Sequence, residues 1–296
     1  MRRCVLGALE EDSVNIGDVT TLSTVPESTQ ARATFLAKAD GIVAGLTVVD
    51  EVFASVDPSL RVEWLVKDGD CIRTGDTFGR VHGPARSLLT AERVALNFLQ
   101  RMSGIATATR AMVDAVDGTS ARIIETRKTA PGLRVLDKWA VLIGGGANHR
   151  MGLFDMVMIK NNHVDAAGGV APAMRACTAY TRAHALEVPI EVETRDLDEV
   201  REVLDIMDGD AGVRVDRIML DNMARRDPSA SGGVDVSMMR EAIALIAGRV
   251  ATEASGNVTL ASVAVIAATG VDYISCGALT HSVAALDISL RLALQA

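Results

Sequence analysis

Between residues 125 and 163 the chain reads ETRKTAPGLRVLDKWAVLIGGGANHRMGLFDMVMIKNNH. Arg127, Lys128, Arg134, Lys138, Arg150 and Lys160 supply its positive charge, with Asp137 and Asp155 inside the window against them. His149 stands beside Arg150, and a run of three glycines precedes them. Guanidinium forks take the oxygens of carboxylates and phosphates two at a time, and lysines add point charges. Such a cluster among glycines is the receptor expected for a small molecule with several negative charges. The chain as a whole has a formal net charge of -8, so this segment runs against its background.

These groups need elements to position them. From about residue 121 the sequence alternates strand-like and helix-like runs. Strands are expected at 122–125, 156–160, 190–193, 217–221, 250–253 and 273–276. Helices are expected between them at 132–143, 170–185, 197–207, 236–247 and 260–268. Strands alternating with helices across short loops give a parallel sheet. Each strand ends in polar or glycine-bearing residues: Thr126-Arg127-Lys128, then Lys160 with Asn161, Asn162 and His163, then Glu193. Asp221-Asn222, Ser255-Gly256-Asn257 and Ser275-Cys276-Gly277 follow at the other three. An open sheet gathers ligand residues at one switch point, whereas a barrel gathers them from all its strands, so a barrel is expected. Glycine turns that open onto helices leave N–H groups for a phosphate. Glu193, Asp221 and Glu253 suit a divalent cation or sugar hydroxyls.

The first 82 residues read differently, as a small α+β unit. Residues 60–64 alternate like a half-exposed strand, and turns at 67–70 and 74–76 flank another. A helix is expected over 85–103, closed by Gly104, with Arg93, Asn97 and Arg101 as a polar stripe. Hydrophobic residues make up 49% of the chain but aromatics only 3%, which suits buried parallel strands under helices. Cys4, Cys71, Cys177 and Cys276 are scattered, so neither a disulfide framework nor a structural zinc site is expected. No apolar run approaches the roughly 18–20 residues of a membrane span. The acidic balance argues against nucleic acid, and the N-terminus lacks a signal-peptide core. A soluble intracellular enzyme is the expected class.

The motifs carry a resemblance. TRKTAPGLR (126–134), GGGANHRMGL (144–153), IKNNH (159–163), IEVET (190–194), IMLDNM (218–223), EASGNV (253–258) and ISCGALTHS (274–282) resemble quinolinate phosphoribosyltransferase. GDVTT (17–21) and the segment 83–107 match as well, so the resemblance covers nearly the whole chain in order. It implies transfer of phosphoribosyl from phosphoribosyl pyrophosphate (PRPP) to quinolinate with Mg²⁺, releasing pyrophosphate and CO₂ and giving nicotinate mononucleotide. The implied α/β fold is an N-terminal sandwich, residues 1–105 joined by 279–296, and an incomplete, open barrel over 106–278. The implied assembly is a homodimer, with a higher oligomer left open, in which Arg101 enters the partner's site.

By the same resemblance, Thr126, Arg127, His149, Arg150 and Lys160 bind quinolinate carboxylates and neighbouring phosphates. Lys128 stands near the reacting centre and the pyrophosphate. Glu193 and Asp221 take ribose hydroxyls and magnesium, and Ser255, Gly256, Asn257, Ser275, Cys276 and Gly277 cradle the 5′-phosphate. The look is closest to plant and algal members, which leaves cytoplasm or plastid stroma as the compartment. Other readings compete: a phosphoribosyltransferase paralogue of molybdate operons, a Schiff-base aldolase using Lys160, and a non-catalytic anion-binding module. Several groups have plainer expected roles. Arg134 and Lys138 suit a solvated helix face and residues 208–212 a surface loop, while Asn162 and His163 are expected near the site rather than only as a helix cap. Gly144, Gly145 and Gly146 suit close packing around the site. His82, His184 and His281 read as ordinary.

Overall fold

In the computed structural model, which describes residues 1–294, the chain divides into two compact units. The first comprises residues 1–110, 128–145 and 278–296, and the second 111–127 and 146–277.

The first unit is built on a four-stranded antiparallel sheet in the order Ile288–Leu294, Gln30–Ala37, Thr77–Pro84, Arg61–Trp64. Gln30–Ala37 alternates outward and inward along its length, burying Ala31, Ala33, Phe35 and Ala37. Its Phe35 ring lies 4.8 Å from Trp64 and 5.8 Å from Phe78, which gathers three of the chain's few aromatics in one patch. The helix Ala85–Ala115 lays Leu88, Ala91, Ala95, Leu99 and Met102 into the same core. That helix does not stop at Gly104, where the sequence places its end. Gly104 lies inside it because the segment at Ala284 passes so close that a Cβ would stand 2.2 Å from the Ala284 carbonyl oxygen. Gly104→Ala is therefore expected to lower stability by about 1–3 kcal/mol through overpacking, despite alanine's better helix propensity. A thermal midpoint at or above wild type would contradict this.

The helix Arg134–Ile143 belongs to the first unit, with Leu136, Ala140 and Val141 in its core. It also corrects the reading of Lys138 as a solvated residue. Lys138 is fully buried, as is its neighbour Asp137, because three consecutive positions of this helix face inward. Among the described residues no disulfide is present, and no helix is long and apolar enough to cross a membrane.

The second unit is an open parallel barrel. Its strands are β1 (Arg122–Ile124), β2 (Val157–Ile159), β3 (Ile190–Thr194), β4 (Arg217–Asp221), β5 (Ala251–Ser255) and β6 (Tyr273–Ser275). They pair in the order β1-β6-β5-β4-β3-β2, so β1 and β2 are edges and do not pair with each other. The connecting helices include Val170–Ala183, Leu197–Gly209, Ser237–Ile246 and Leu260–Ala267, each ending within a few residues of its expected bounds. Leu197–Gly209 shows why the sequence is readable here. Asp196 caps its first N–H groups, Asp198 and Glu199 face the positive end of its dipole, and Val200, Val203, Leu204 and Ile206 form the buried stripe. The helix runs through Gly209, so only the end of the expected 208–212 loop is a turn. A short hairpin pairing Arg225–Arg226 with Val234–Asp235 follows β4 and has no counterpart in the expected elements.

The gap between the two edge strands is not empty of chain. Ala147 forms a parallel bridge with Ile124, its N–H reaching the Ile123 carbonyl at 2.8 Å. Three residues on, Arg150 donates to the Met156 carbonyl at 3.2 Å and to the Met158 sulfur at 3.6 Å. The segment 147–150 thus spans from β1 to β2.

Candidate active site

Strand periodicity decides which side chains share the barrel interior. On β3, Glu191 and Glu193 lie on one face, two residues apart, while Ile190, Val192 and Thr194 face the helices. Register carries that face across the sheet: Glu191 sits beside Arg217, Glu193 beside Met219, and Met219 beside Glu253. Asp221 is in turn beside Ser255, and Glu253 beside Tyr273.

At the carboxyl ends of the strands, Lys160 forms an ion pair with Glu193. Burial, and then the charge of Glu193, raise the Asp221 carboxyl above its ordinary range, while Asn222, Lys160 and Ser255 pull it back. Asn222 donates to Asp221 at 2.7 Å. Lys160, Glu193 and Asp221 are therefore one electrostatic group at the rim. Lys160 also begins the short helix Asn161–Ala167, where its own N–H donates to His163 Nδ1 at 2.9 Å. The capping reading of His163 is thus the one the geometry shows.

Beside this group lies the first glycine turn. Asn222 N–H donates to the Ser255 carbonyl at 2.8 Å, and Asn257 to the Asn222 amide oxygen at 3.3 Å. Gly256 has φ of 101°, and a Cβ there would stand 2.2 Å from that same amide oxygen. Only glycine fits such a close, left-handed turn. At the second turn Cys276 is buried, its N–H donating to the Ile124 carbonyl at 2.9 Å and its thiol lying 3.6 Å from the Val258 carbonyl. Ser275 is buried beside it, and Gly277 is half-buried.

Two further cations lie at the edge strands, Arg127 just past the end of β1 and Arg150 against Met158 of β2. Burial, and then the charge of Arg127, push the Arg150 guanidinium below its ordinary range, against the pull of Glu191 and Asp155. Like charges that raise the cost of each other's burial favour a nearby anion. Asp155 fixes the loop before β2 by accepting the N–H groups of Met151 and Gly152 at 2.6 and 2.9 Å.

One layer beneath the rim is a cluster of which the sequence reading named His149 and Glu253 but missed Glu191 and Arg217; Glu253, expected to serve a cation or sugar hydroxyls, is fully buried there. His149 is buried, and its Nε2 lies 3.1 Å from Glu191 and 3.3 Å from Glu253. Glu253 also meets Arg217 at 2.8 Å, and Arg217 stacks 3.9 Å over the Tyr273 ring. Both glutamates are fully buried, and Glu125, equally buried, accepts the His149 backbone N–H at 3.1 Å. The signal was in the alternation of IEVET, where two carboxylates fall on the face that a barrel strand turns inward. His149, Glu191 and Glu253 are also dense enough among the described residues to suit a metal ion. Arg217 already supplies a cation there, at salt-bridge distance from Glu253.

The cluster has a pH signature. Burial alone would lower the imidazole pKa; the two carboxylates outweigh it and push His149 up to about 9. Burial, and then Glu253, raise Glu191 to about 7. The Arg150 N–H points at Nδ1 from 2.6 Å, a bond that the ring accepts only with its single proton on Nε2, so the further proton that the cluster takes up while this bond stands is held on the carboxylates. Both folded-state values lie above the unfolded ones, so their stability is present at low pH and lost as pH rises. For His149 the window runs from the ordinary 6.5 to about 9. The thermal midpoint is expected to fall across that window, and less steeply in His149→Gln. Parallel curves for the two proteins would contradict it.

Thr126 precedes Arg127 at the end of β1, and both are half-buried. The remaining two expected site residues belong to the first unit. Arg101 forks onto Asp137 with two contacts of 2.8 Å and donates to the Thr280 carbonyl at 3.1 Å. The Thr280 hydroxyl in turn donates to the Lys128 carbonyl at 3.0 Å, so one residue ties both together. Lys128 is exposed. Arg101 also lines a cavity of about 790 Å³ with Asn97, Arg3 and Leu133.

With this geometry established, comparison with known proteins is decisive. The family described as quinolinate phosphoribosyl transferase, C-terminal domain, matches residues 105–291, and its N-terminal domain matches residues 18–103. The chain belongs to the quinolinate phosphoribosyltransferase family. It is 58% identical over 285 residues to a mitochondrial quinolinate phosphoribosyltransferase [decarboxylating] of Nicotiana tabacum, covering 96% of this chain and 80% of that protein. The chloroplastic nicotinate-nucleotide pyrophosphorylase [carboxylating] of Arabidopsis thaliana matches with the same identity and coverage. Among solved structures, NadC from Streptococcus pyogenes superposes with a TM-score of 0.87 at 38% identity, over 99% of this chain and 96% of that one. These likenesses agree with the open barrel and the N-terminal sheet unit as a quinolinate phosphoribosyltransferase fold.

Proposed function

We propose that the chain transfers phosphoribosyl from PRPP to quinolinate and decarboxylates the product to nicotinate mononucleotide. The observation that carries this reading is the family match over both domains, supported by Arg127 and Arg150 lying in the same barrel unit as the Lys160–Glu193–Asp221 group. One end suits a dicarboxylate and the other a phosphorylated sugar. The commitment of Lys160 to Glu193 as an ion pair weighs against a Schiff-base role.

In this reading Arg127 and Arg150 orient quinolinate by its carboxylates, with Thr126, His149 and Lys160 around it. The turns at Ser255-Gly256-Asn257 and Ser275-Cys276-Gly277 hold the 5′-phosphate through backbone N–H groups. The C1–O bond to pyrophosphate breaks with its electron pair leaving on oxygen, and the pyridine nitrogen bonds to C1. The role proposed for Lys128 is to neutralise the departing charge. The ring, now a pyridinium, accepts the electron pair released as the adjacent carboxylate leaves as CO₂, and the ring carbon then takes a proton. Positioning two polyanions is most of the catalytic task, so charge and orientation suffice.

Glu193 and Asp221 fit Mg²⁺: both are hard oxygen donors, and the raised Asp221 carboxyl marks a place short of positive charge. When bound there, the ion supplies charge neutralisation for the diphosphate. The assembly is proposed as a homodimer with Arg101 serving the partner's site. An organellar location is supported by the mitochondrial and chloroplastic relatives.

The test is direct. With quinolinate, PRPP and Mg²⁺, nicotinate mononucleotide and CO₂ are expected in equal amounts. No turnover, or equal turnover with nicotinate as acceptor, would overturn the reading.

A further inference from the structure

Glu191, Glu253 and Arg217 lie behind His149 in the barrel interior, and the proposed chemistry gives them no contact with substrate. Yet they are expensive. Glu191 and Glu253 are fully buried and their nearest oxygens lie within 4.8 Å of one another and of the His149 ring. Neither Glu191 oxygen accepts a well-formed hydrogen bond, and the nitrogen that faces it is His149 Nε2 at 3.1 Å. Arg217, the fixed positive charge, is spent on Glu253. A barrel interior filled with branched apolar residues at these positions would be more stable. A fold keeps such a cluster where it does something else.

Geometry shows what it does. The segment 147–150 crosses the gap of the open barrel with one bridge on β1, and its position on the other side depends on Arg150. The His149 ring is the rivet between them. Its Nε2 points down between the two glutamates, and its Nδ1 receives the Arg150 N–H at 2.6 Å. Turning the ring away from the carboxylates withdraws Nδ1 from the Arg150 backbone. The backbone of Arg150 thus depends on the glutamates through one imidazole.

We propose that Glu191, Glu253 and Arg217 are positioning residues for the quinolinate end of the site, acting through the His149 ring on Arg150. This rests on the assignment of Arg150 to quinolinate. Glu253 and Arg217 form the fixed half of the clamp, tied together and stacked on Tyr273. Glu191 is the half that closes it from the neighbouring side of the sheet, at the cost of an uncompensated buried charge. Glu253 also accepts a hydrogen bond from Ser275 at the second turn proposed for the 5′-phosphate, whereas Glu191 meets only His149, Glu253 and Arg217, so Glu191 is the member of the clamp that serves quinolinate alone.

The test uses the full-length protein and Glu191→Gln, which keeps the shape and removes the charge. The expected result has two parts. The thermal midpoint stays level or rises, because a buried carboxylate without hydrogen bonds is gone. The KM for quinolinate rises by roughly 10–100-fold, the range typical of groups that orient a binding residue, while kcat and the KM for PRPP change little. A second variant, Arg217→Met with Glu253→Gln, removes the other half of the clamp as a neutral pair. It is expected to raise the same KM. Combining Glu191→Gln with Arg150→Ala adds nothing further to the loss if the glutamate acts through Arg150.

A lower midpoint, or failure of Glu191→Gln to fold, would overturn the proposal, since it would make the glutamate a stabilising part of the core. An unchanged quinolinate KM in the folded variant, or an equal rise in both KM values, would overturn it too. So would full additivity with Arg150→Ala. Failure of the underlying functional reading looks different, because the unmutated protein itself would then show no turnover of quinolinate.

Discussion

Arg150→Ala is expected to lower kcat/KM for quinolinate by about 10³-fold, corresponding to the few kcal/mol of a desolvated charge contact. The protein should stay folded. The Arg150 side chain contacts a carbonyl and a thioether, and its removal relieves repulsion with Arg127. Arg150→Lys is expected to recover little, because a single ammonium does not replace a fork facing a planar carboxylate. The loss should fall on quinolinate and leave PRPP binding largely intact. Steady-state kinetics with each substrate varied in turn checks this. A quinolinate kcat/KM within tenfold of wild type would remove Arg150 from the acceptor site.

The second large effect concerns the assembly. Arg101→Ala leaves Asp137 buried without its fork, which costs about 3–5 kcal/mol and would confuse loss of fold with loss of function. Arg101→Lys keeps a charge for Asp137 while losing the planar fork. It is expected to be nearly inactive, as is Lys128→Ala. Among the described residues the Arg101 Nη1 has no partner of its own, and the side chain is 26% exposed, so it can serve an outside acceptor. When the two inactive variants are mixed and subunits exchange, half the dimers are mixed. Each mixed dimer has one site with both residues intact, so about a quarter of wild-type activity should return. No recovery after demonstrated exchange would mean that each chain completes its own site.

Much of this was legible in the chain, for identifiable reasons. The barrel strands announce themselves because Ile190, Val192, Ile218, Leu220 and Ile274 are apolar runs closed by polar residues at the rim. Glu193 and Asp221 stand where those runs end, so their proximity to Lys160 follows from strand order. The buried layer was hidden for a matching reason. Glu191 has the same chemistry as Glu193 two residues on, and only the inward alternation of β3 separates a rim group from an interior one. Arg217 at the start of β4 looks like an ordinary exposed strand end until register sets it beside Glu191. Gly104 reads as a helix stop by its residue type, but its cause is a chain segment about 180 residues away. Lys138 reads as solvated because lysine usually is. Its burial depends on neighbours that no local pattern encodes. The hairpin at Arg225–Arg226 escaped because two-residue strands leave no periodicity to detect.

The strap from Ala147 to Arg150 has a consequence for the life of the protein before it meets any substrate. An open barrel leaves two strand edges whose backbone groups would template pairing with another chain. Here the guard over those edges ends in His149 and Arg150, the two residues of the strap proposed to grip the anion. A small dicarboxylate that pins the strap therefore doubles as a solubilising agent. Purification, storage and crystallisation should be kinder to the liganded chain, and damage to the anion grip should first be noticed as precipitation.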